Sequence, residues 1–177
     1  MLILVTGGSG SGKSAYAEAR IKELKEKKQL PVYYLATMQV YGSDEEKIVK
    51  RHLKLREGKG FETVEQPRDI EKCLGRFPKR SIILLEDVSN LVANEMFRED
   101  EIIDEDIVVE KICSGIMNLY DNTEDMAMVA GNIFEDGMDY SETTRSYIRA
   151  MARVNNFLAS KADEAYESVA GIPVRLN

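Results

Sequence analysis

Short apolar segments alternate with longer amphipathic segments along this chain, and the alternation predicts its secondary structure. Apolar runs typical of β-strands occur at residues 2–6, 32–36, 61–65, 81–86 and 126–130. Two further strands are predicted at residues 165–169 and 173–176, joined through the sequence Ala170-Gly171-Ile172. Repeated strand–helix units of this kind predict an α/β fold, with a mainly parallel sheet and an antiparallel C-terminal strand.

The fourth apolar run indicates a strand that is buried on both faces. Residues 82–85 are continuously apolar, whereas a strand with one solvated face would alternate. After the second strand, Ser43 and Glu46 have the spacing of a capping box, which predicts a helix over residues 44–57. No segment resembles a linker, so we expect one domain over residues 1–177.

The composition restricts the class of protein and the partners it can take. The chain has 177 residues, 44% of them hydrophobic and 31% charged, which is typical of a soluble globular domain. Its formal charge of −7 argues against broad nucleic-acid binding and against docking on anionic lipid. No apolar run approaches the roughly 20 residues that span a bilayer. The two cysteines, Cys73 and Cys113, are isolated, so we expect a cytoplasmic, reducing compartment.

A glycine-rich motif follows the first predicted strand and precedes a predicted helix. It matches G-x-x-x-x-G-K-[ST], whose backbone N–H groups cradle phosphate oxygens. The lysine can reach the β- and γ-phosphates, and the final hydroxyl can bind Mg²⁺. The motif therefore predicts a P-loop NTPase domain of the RecA-like type that binds GTP or ATP. Its residues are Gly7, Gly8, Ser9, Gly10, Ser11, Gly12, Lys13 and Ser14.

Such a site needs a further carboxylate on the metal side, at the end of a buried strand. Glu86 and Asp87 end the fourth apolar run. We favour Glu86 with Ser14 as the Mg²⁺ ligands, because Glu86 directly follows the apolar residues, and Asp87 is the alternative. The same residues also fit a strand that simply ends in polar side chains.

The only histidine of the chain, His52, falls within the predicted 44–57 helix. It lies beside the apolar stripe, where a histidine that only packs or caps is common. Neutral imidazole is also a nucleophile toward phosphorus when neighbouring cations stabilise the developing charge, and Arg51 and Arg56 are near. The residues alone leave both interpretations open.

Two other charged segments admit more than one interpretation. Asp139 and Glu142 predict a helix over residues 140–161, on which three arginines form a ridge. The ridge fits a solvated basic face, or phosphate clamps facing a cleft. Residues 99–110 include seven acidic residues in twelve, which predicts a solvated acidic helix or insertion. The ridge consists of Arg145, Arg149 and Arg153, and Asn155 on the apolar side should have a fixed hydrogen-bond partner.

Taken in order, these motifs resemble the bifunctional adenosylcobinamide kinase/adenosylcobinamide-phosphate guanylyltransferase family of cobalamin biosynthesis. The resemblance covers nearly the whole chain and includes the opening strand with its P-loop, the pair Ala36-Thr37, and Arg51-His52 with Arg56. It continues through Thr63-Val64-Glu65, Glu86 and Asn94 to Arg145, Tyr147, Arg153, Asn155, residues 162–164 and Ala170-Gly171. Residues 131–138 depart from the family's glycine-rich segment, as do Gly42, Ile48, Ile148, Arg149, Ala152 and Asn156 from its usual residues.

The resemblance implies two reactions, each with a nucleoside triphosphate and a corrinoid substrate. These are phosphorylation of adenosylcobinamide and GMP transfer from GTP through a guanylyl intermediate on His52. The resemblance also implies a homotrimer, and nucleotide contacts at Ala36, Thr37, Met38, Leu53, Lys54, Leu55, Arg56, Glu65 and Glu86. A plain P-loop kinase or NTPase, and a nucleotide-binding regulatory protein without turnover, are the alternatives.

Overall fold

A seven-stranded sheet forms the centre of the protein, with the strand order β3-β2-β4-β5-β1-β6-β7. The structure is a computed structural model that describes residues 1–39, 60–132 and 139–177. All neighbouring strands are parallel except β6 and β7, which pair in antiparallel fashion. The predicted α/β fold with an antiparallel C-terminal strand is therefore confirmed. The strands are β1 (Leu2–Gly7), β2 (Val32–Ala36), β3 (Glu62–Glu65), β4 (Ile82–Glu86), β5 (Asp125–Gly131), β6 (Glu164–Val169) and β7 (Ile172–Arg175).

Helices cover both faces of this sheet, which explains why β4 and β5 are apolar on both sides. Helix α1 packs on one face against Ile3, Val5, Ile82 and Leu84. The other described helices pack on the opposite face, over the larger of the two apolar clusters. They are α2 (Val88–Met96), α3 (Glu105–Asp121) and α4 (Glu142–Lys161), with a short 3-10 helix at Ile70–Arg76; α1 is Lys13–Lys28.

The helix predicted at residues 140–161 forms, but its starting signal was misidentified. The N-cap is Ser141, whose hydroxyl accepts a hydrogen bond from the Thr144 N–H at 3.3 Å. Asp139 lies outside the helix and forms an ion pair with Arg145. Serine caps a helix as well as aspartate does, and the helix begins two residues later than predicted, after Ser141. The predicted helix at 44–57 lies outside the described residues.

The acidic segment and the arginine ridge are partners in the structure. The last part of residues 99–110 begins α3, and Glu105 accepts from Arg149 at 3.0 Å. Asp106 pairs with Arg153 at 2.5 Å. Since these ion pairs join α3 to α4, the two arginines neutralise acidic side chains on a partly exposed helix contact. The interpretation of the ridge as phosphate clamps is therefore not supported in the described part of the chain.

The parallel register brings the carboxyl ends of six strands, β1 to β6, to one edge of the sheet. Gly7 at the end of β1 pairs with Gly131 at the end of β5, and Ala36 of β2 pairs with Glu86 of β4. Ligands of open α/β sheets bind at this edge, because the loops and helix N-termini converge there. The P-loop, Ala36-Thr37, Glu65 and Glu86 all lie along it.

Candidate nucleotide-binding site

The P-loop leaves β1 through backbone conformations that require glycine at its two ends. Gly7 has φ +150°, and a Cβ there would lie 2.5 Å from the Ser11 hydroxyl oxygen and 2.6 Å from the Ser168 carbonyl oxygen. Gly12 has φ +92°, and its Cβ would lie 3.2 Å from the Cα of Gly171. The loop is therefore packed at both ends. Between them, Ser9 and Gly10 are exposed at its tip and Gly8 is half-buried.

The end of the loop is the N-terminus of α1. Gly12 is the N-cap residue and provides no side chain to bond the first-turn N–H groups. These N–H groups, with the positive end of the helix dipole, suit an anion such as a phosphate. Lys13 folds back over the loop, and its Nζ donates to the Gly8 carbonyl oxygen at 3.2 Å. Ser14, the second residue of α1, is half-buried.

Glu86 projects from the end of β4 toward the α1 side of the sheet. Ile82 and Leu84 pack against α1, and side chains two residues apart on a strand share a face. Glu86 is half-buried, and its Oε2 accepts a hydrogen bond from the Tyr34 hydroxyl at 2.9 Å. The carboxylate therefore lies on the same face of the sheet as the helix that begins with Lys13.

Asp87 has a different local role. Its carboxylate caps α2 by accepting from the Asn90 N–H at 2.7 Å, so it is directed to the opposite face of the sheet. Burial raises the pKa of Asp87 above its usual value, and the negative charge of Glu86 adds to this shift. The hydrogen bond from the Asn90 N–H and the positive charge of Lys13 oppose it. The two adjacent carboxylates thus occupy distinct environments, because Glu86 ends β4 and Asp87 is the N-cap residue of α2.

The segment after β2 is bound tightly to the end of β4. Thr37 is fully buried; its N–H donates to the Glu86 carbonyl oxygen at 3.0 Å and its hydroxyl to the Asp87 carbonyl oxygen at 2.7 Å. The Asn94 side chain donates to the carbonyl oxygens of Thr37 at 2.7 Å and Pro67 at 3.0 Å. Ala36 is buried and Met38 is half-buried beyond it. The hydrogen bonds of Thr37 therefore connect the end of β2 to the end of β4.

Of the remaining predicted nucleotide contacts, the structure describes only Glu65. Glu65 ends β3, is exposed, and pairs in register with Ala36. It thus lies on the same edge as the P-loop, at the outer side of the sheet. The predicted catalytic His52 and the contacts Leu53, Lys54, Leu55 and Arg56 lie outside the described residues.

Polar side chains hold the ends of β5 and β6 beside the P-loop, and two of them, Ser89 and Glu167, were not predicted as site residues. The Ser89 hydroxyl accepts from the Gly131 N–H at 2.7 Å, and the Asn155 amide donates to the Gly131 carbonyl oxygen at 3.2 Å. The expected fixed partner of Asn155 is thereby confirmed. The Asn132 side chain donates to Glu167 at 3.2 Å, which links the ends of the strands on either side of β1. Ser89 and Glu167 carried no local sequence signal, because their partners Gly131 and Asn132 lie in segments distant in the sequence.

The donor set at this edge suits a magnesium ion held partly by substrate. A serine hydroxyl and a carboxylate are hard oxygen ligands, and Mg²⁺ takes few protein ligands when phosphates supply others. The described residues contain no group of three or more His, Cys, Asp or Glu side chains able to hold a metal by themselves. Ser14 and Glu86 therefore fit a nucleotide-bound Mg²⁺ better than a resident metal centre.

A glycine-rich loop between a buried parallel strand and a helix N-terminus, with a carboxylate ending a nearby strand, defines a P-loop nucleotide-binding protein. Residues 3–176 match the family model described as cobinamide kinase / cobinamide phosphate guanyltransferase. The chain belongs to this family, and it is accordingly an enzyme of the transferase class.

Individual relatives agree with this assignment. The chain is 27% identical, over 188 aligned residues, to the bifunctional adenosylcobalamin biosynthesis protein CobU of Escherichia coli strain K12. It is 28% identical, over 195 aligned residues, to the protein of the same name from Salmonella typhimurium strain LT2. Both alignments cover 99% of this chain and 99% of the relative.

A solved structure supports the fold independently of sequence. An ATPase domain of known structure superposes with a TM-score of 0.56 at 11% identity, covering 94% of this chain and 68% of that one. At this identity the likeness concerns the fold alone, and it agrees with the P-loop α/β architecture. Within the described ranges, no helix is both long and apolar enough to cross a membrane.

Proposed function

We propose that this protein phosphorylates adenosylcobinamide with a nucleoside triphosphate and then transfers GMP from GTP to adenosylcobinamide phosphate. The family match over residues 3–176 is the observation that carries this proposal. The P-loop, the free first turn of α1 and Glu86 on the α1 face of the sheet supply the triphosphate half of such a site. Phosphoryl transfer needs mainly positioning and charge stabilisation, which these groups provide.

In the first reaction, the loop amides and the N-terminus of α1 bind the β- and γ-phosphates. Lys13 leaves the Gly8 carbonyl oxygen that it contacts here and neutralises charge on the transferred phosphoryl group. Ser14 and Glu86 would hold Mg²⁺, which supplies charge neutralisation at the phosphate oxygens when bound. The cobinamide hydroxyl oxygen forms the new P–O bond to the γ-phosphorus as the bond to the nucleoside diphosphate breaks, and the hydroxyl proton is released to solvent.

In the second reaction, His52 is the nucleophile, as the family resemblance implies. A neutral imidazole nitrogen attacks the α-phosphorus of GTP, a P–N bond forms, and pyrophosphate leaves. A phosphate oxygen of adenosylcobinamide phosphate then attacks the same phosphorus. The P–N bond breaks, the imidazole is regenerated, and the product is the GDP-linked corrinoid.

Labelling with α-labelled GTP tests this sequence of steps. We expect the wild-type protein to take up label that survives base and is released by mild acid, which is characteristic of a phosphoramidate. His52→Ala should take up no such label but still phosphorylate the corrinoid hydroxyl. If wild-type protein phosphorylates a small alcohol without taking up label, the plain kinase is correct. Tight nucleotide binding with neither activity would indicate a regulatory protein.

Other features of the proposal concern assembly and location. We expect one domain and, from the family resemblance, a homotrimer, which light scattering after size-exclusion chromatography measures directly. Cys73 and Cys113 are buried free thiols, so a reducing compartment such as the cytoplasm suits the chain. The acidic charge of −7 argues against nucleic acid as a partner.

A further inference from the structure

The C-terminal hairpin of β6 and β7 touches the P-loop at one backbone carbonyl. The Ser11 carbonyl oxygen accepts two hydrogen bonds, one from the Ser168 hydroxyl at 2.6 Å and one from the Gly171 N–H at 2.8 Å. Both donors come from the far end of the sequence, about 160 residues from the loop. The two bonds occupy both lone pairs of this carbonyl oxygen and fix its direction.

This contact determines where the next N–H group points. In a trans peptide the C=O of one residue and the N–H of the next point in opposite directions. The Ser11–Gly12 peptide is trans, since the only cis peptide found in the described chain is elsewhere. Holding the Ser11 carbonyl toward the hairpin therefore turns the Gly12 N–H away from it, toward the concave side of the loop where phosphate binds.

The hairpin is packed too closely for the loop to adjust on its own. Ser168 is only 2% exposed, and its carbonyl oxygen lies 2.6 Å from where a Cβ on Gly7 would be. On the other end of the loop, the Cα of Gly171 would lie 3.2 Å from a Cβ on Gly12. The loop is thus backed at one end by Ser168 near the end of β6 and at the other by Gly171 in the turn between β6 and β7. Without the Ser168 hydroxyl, the Ser11–Gly12 peptide would keep one donor and could rotate more freely.

We propose that Ser168 is a positioning residue of the nucleotide site, which acts by holding the Ser11–Gly12 peptide in its phosphate-binding orientation. This inference rests on the proposed function only in that the P-loop binds a nucleoside triphosphate. Ser168 does not touch the substrate; its effect passes through the loop. The consequence is specific: loss of the hydroxyl weakens interactions with the phosphate chain and leaves interactions with the base and ribose intact.

Ser168→Ala tests this, with Ser81→Ala as the matched control. Ser81 is also buried, and its hydroxyl also donates to a backbone carbonyl, that of Pro78, at 2.6 Å, but it lies at the opposite edge of the sheet. Calorimetric titration with GTP and with GMP measures the affinity of each variant. We expect Ser168→Ala to bind GTP about tenfold more weakly and Ser81→Ala to bind it normally, although both lose some stability toward urea.

Two comparisons decide the outcome. An unchanged GTP affinity in Ser168→Ala, or equal losses of affinity in both variants, would overturn the inference, as would equal losses for GTP and GMP. If Ser168→Ala does not fold, Ser168→Cys keeps a similar shape with a weaker donor, and we expect a loss of about threefold. The assay needs no corrinoid, so absence of corrinoid phosphorylation would refute the proposed function and leave this inference standing.

Discussion

The Tyr34 hydroxyl on β2 donates to the Glu86 carboxylate on β4 at 2.9 Å. The two residues lie on neighbouring strands and on the same face as α1. A carboxylate with one oxygen held by a hydroxyl keeps a defined direction, and groups that orient metal ligands in this way contribute to metal affinity. The pair therefore links an aromatic residue of the core to the carboxylate proposed to hold Mg²⁺.

Removing this hydroxyl should weaken Mg²⁺ binding rather than nucleotide binding. We expect Tyr34→Phe to raise the Mg²⁺ concentration for half-maximal kinase activity by about tenfold, because Glu86 loses its orienting donor. Tyr33→Phe is the control: Tyr33 is equally buried but faces the opposite side, where its ring contacts Phe77 at 5.4 Å between centroids. An identical Mg²⁺ dependence in both variants would contradict the assignment of Glu86 to the metal.

The two carboxylates at the end of β4 should differ sharply in function. Glu86→Gln should reduce activity by about a hundredfold or more, on the order of the loss of one essential charge-stabilising group. Asp87→Asn should retain most activity, because the Asp87 carboxylate is engaged in capping α2 and asparagine still caps that helix. Steady-state rates at saturating Mg²⁺ measure both. Comparable losses would mean that the direction assigned to these side chains is wrong.

Asp87→Asn should also change the pH dependence of stability. Burial raises the pKa of Asp87, so the folded protein binds its proton more tightly than the unfolded chain does. The charged side chain therefore destabilises the fold above its folded pKa; this cost shrinks as the pH falls below the folded pKa and is gone below the unfolded pKa of about 4. We expect Asp87→Asn to be at least as stable as wild type at pH 7, with the difference shrinking in acid, as measured by urea unfolding at each pH.

Lys13 should be necessary for triphosphate use and dispensable for folding. Its described contact is a hydrogen bond to the Gly8 carbonyl oxygen, so Lys13→Ala should change the free energy of unfolding by less than about 1 kcal/mol. Turnover should fall below detection because the β- and γ-phosphates lose their cation. Lys22→Ala removes an exposed charge from the same helix and should remain active. Normal turnover in Lys13→Ala would exclude the P-loop from the reaction. Ser14→Ala should instead alter the dependence of turnover on the Mg²⁺ concentration.

Glu95 on α2 is a buried acidic residue whose charge needs a partner. Glu95 is 2% exposed and accepts from Lys111 on α3 at 2.7 Å and from the Asp69 N–H at 2.7 Å. Lys111→Met leaves this carboxylate without its main cation, and we expect a loss of about 3 kcal/mol in urea unfolding. The double variant Lys111→Met/Glu95→Gln should recover much of that loss. Equal losses in the single and double variants would show that Lys111 acts by packing instead.

The effect of Lys111→Met on the free energy of unfolding should depend on pH. Hydrogen bonds from Lys111 and then Lys72 lower the pKa of Asp69 to about 2. A lowered folded pKa contributes stability above the unfolded pKa of about 4, and this contribution is lost as the pH falls toward 2. The difference in stability between wild type and Lys111→Met should therefore narrow between about pH 4 and pH 2.

Much of the architecture could be predicted from local sequence patterns, because each of these patterns fits only one arrangement of strand and helix. Continuous apolar residues at 82–85 required a strand covered on both faces, and β4 is such a strand. The P-loop motif required a strand before it and a helix after it, and both form. The start of α4 was misplaced because Asp139 and Ser141 are both good N-caps, and only packing selects between them.

Contacts between segments that are distant in the sequence could not be predicted from the sequence alone. No local pattern pairs Ser168 with Ser11, Tyr34 with Glu86, or Glu105 with Arg149, because each pair depends on strand order and helix placement. The sequence therefore determined which chemistry the chain carries and on which elements it lies, since periodicity and motif spacing are local properties. Only the tertiary structure decided which polar groups hold the phosphate loop and which arginines pair with acids, because those contacts join segments that are distant in the sequence.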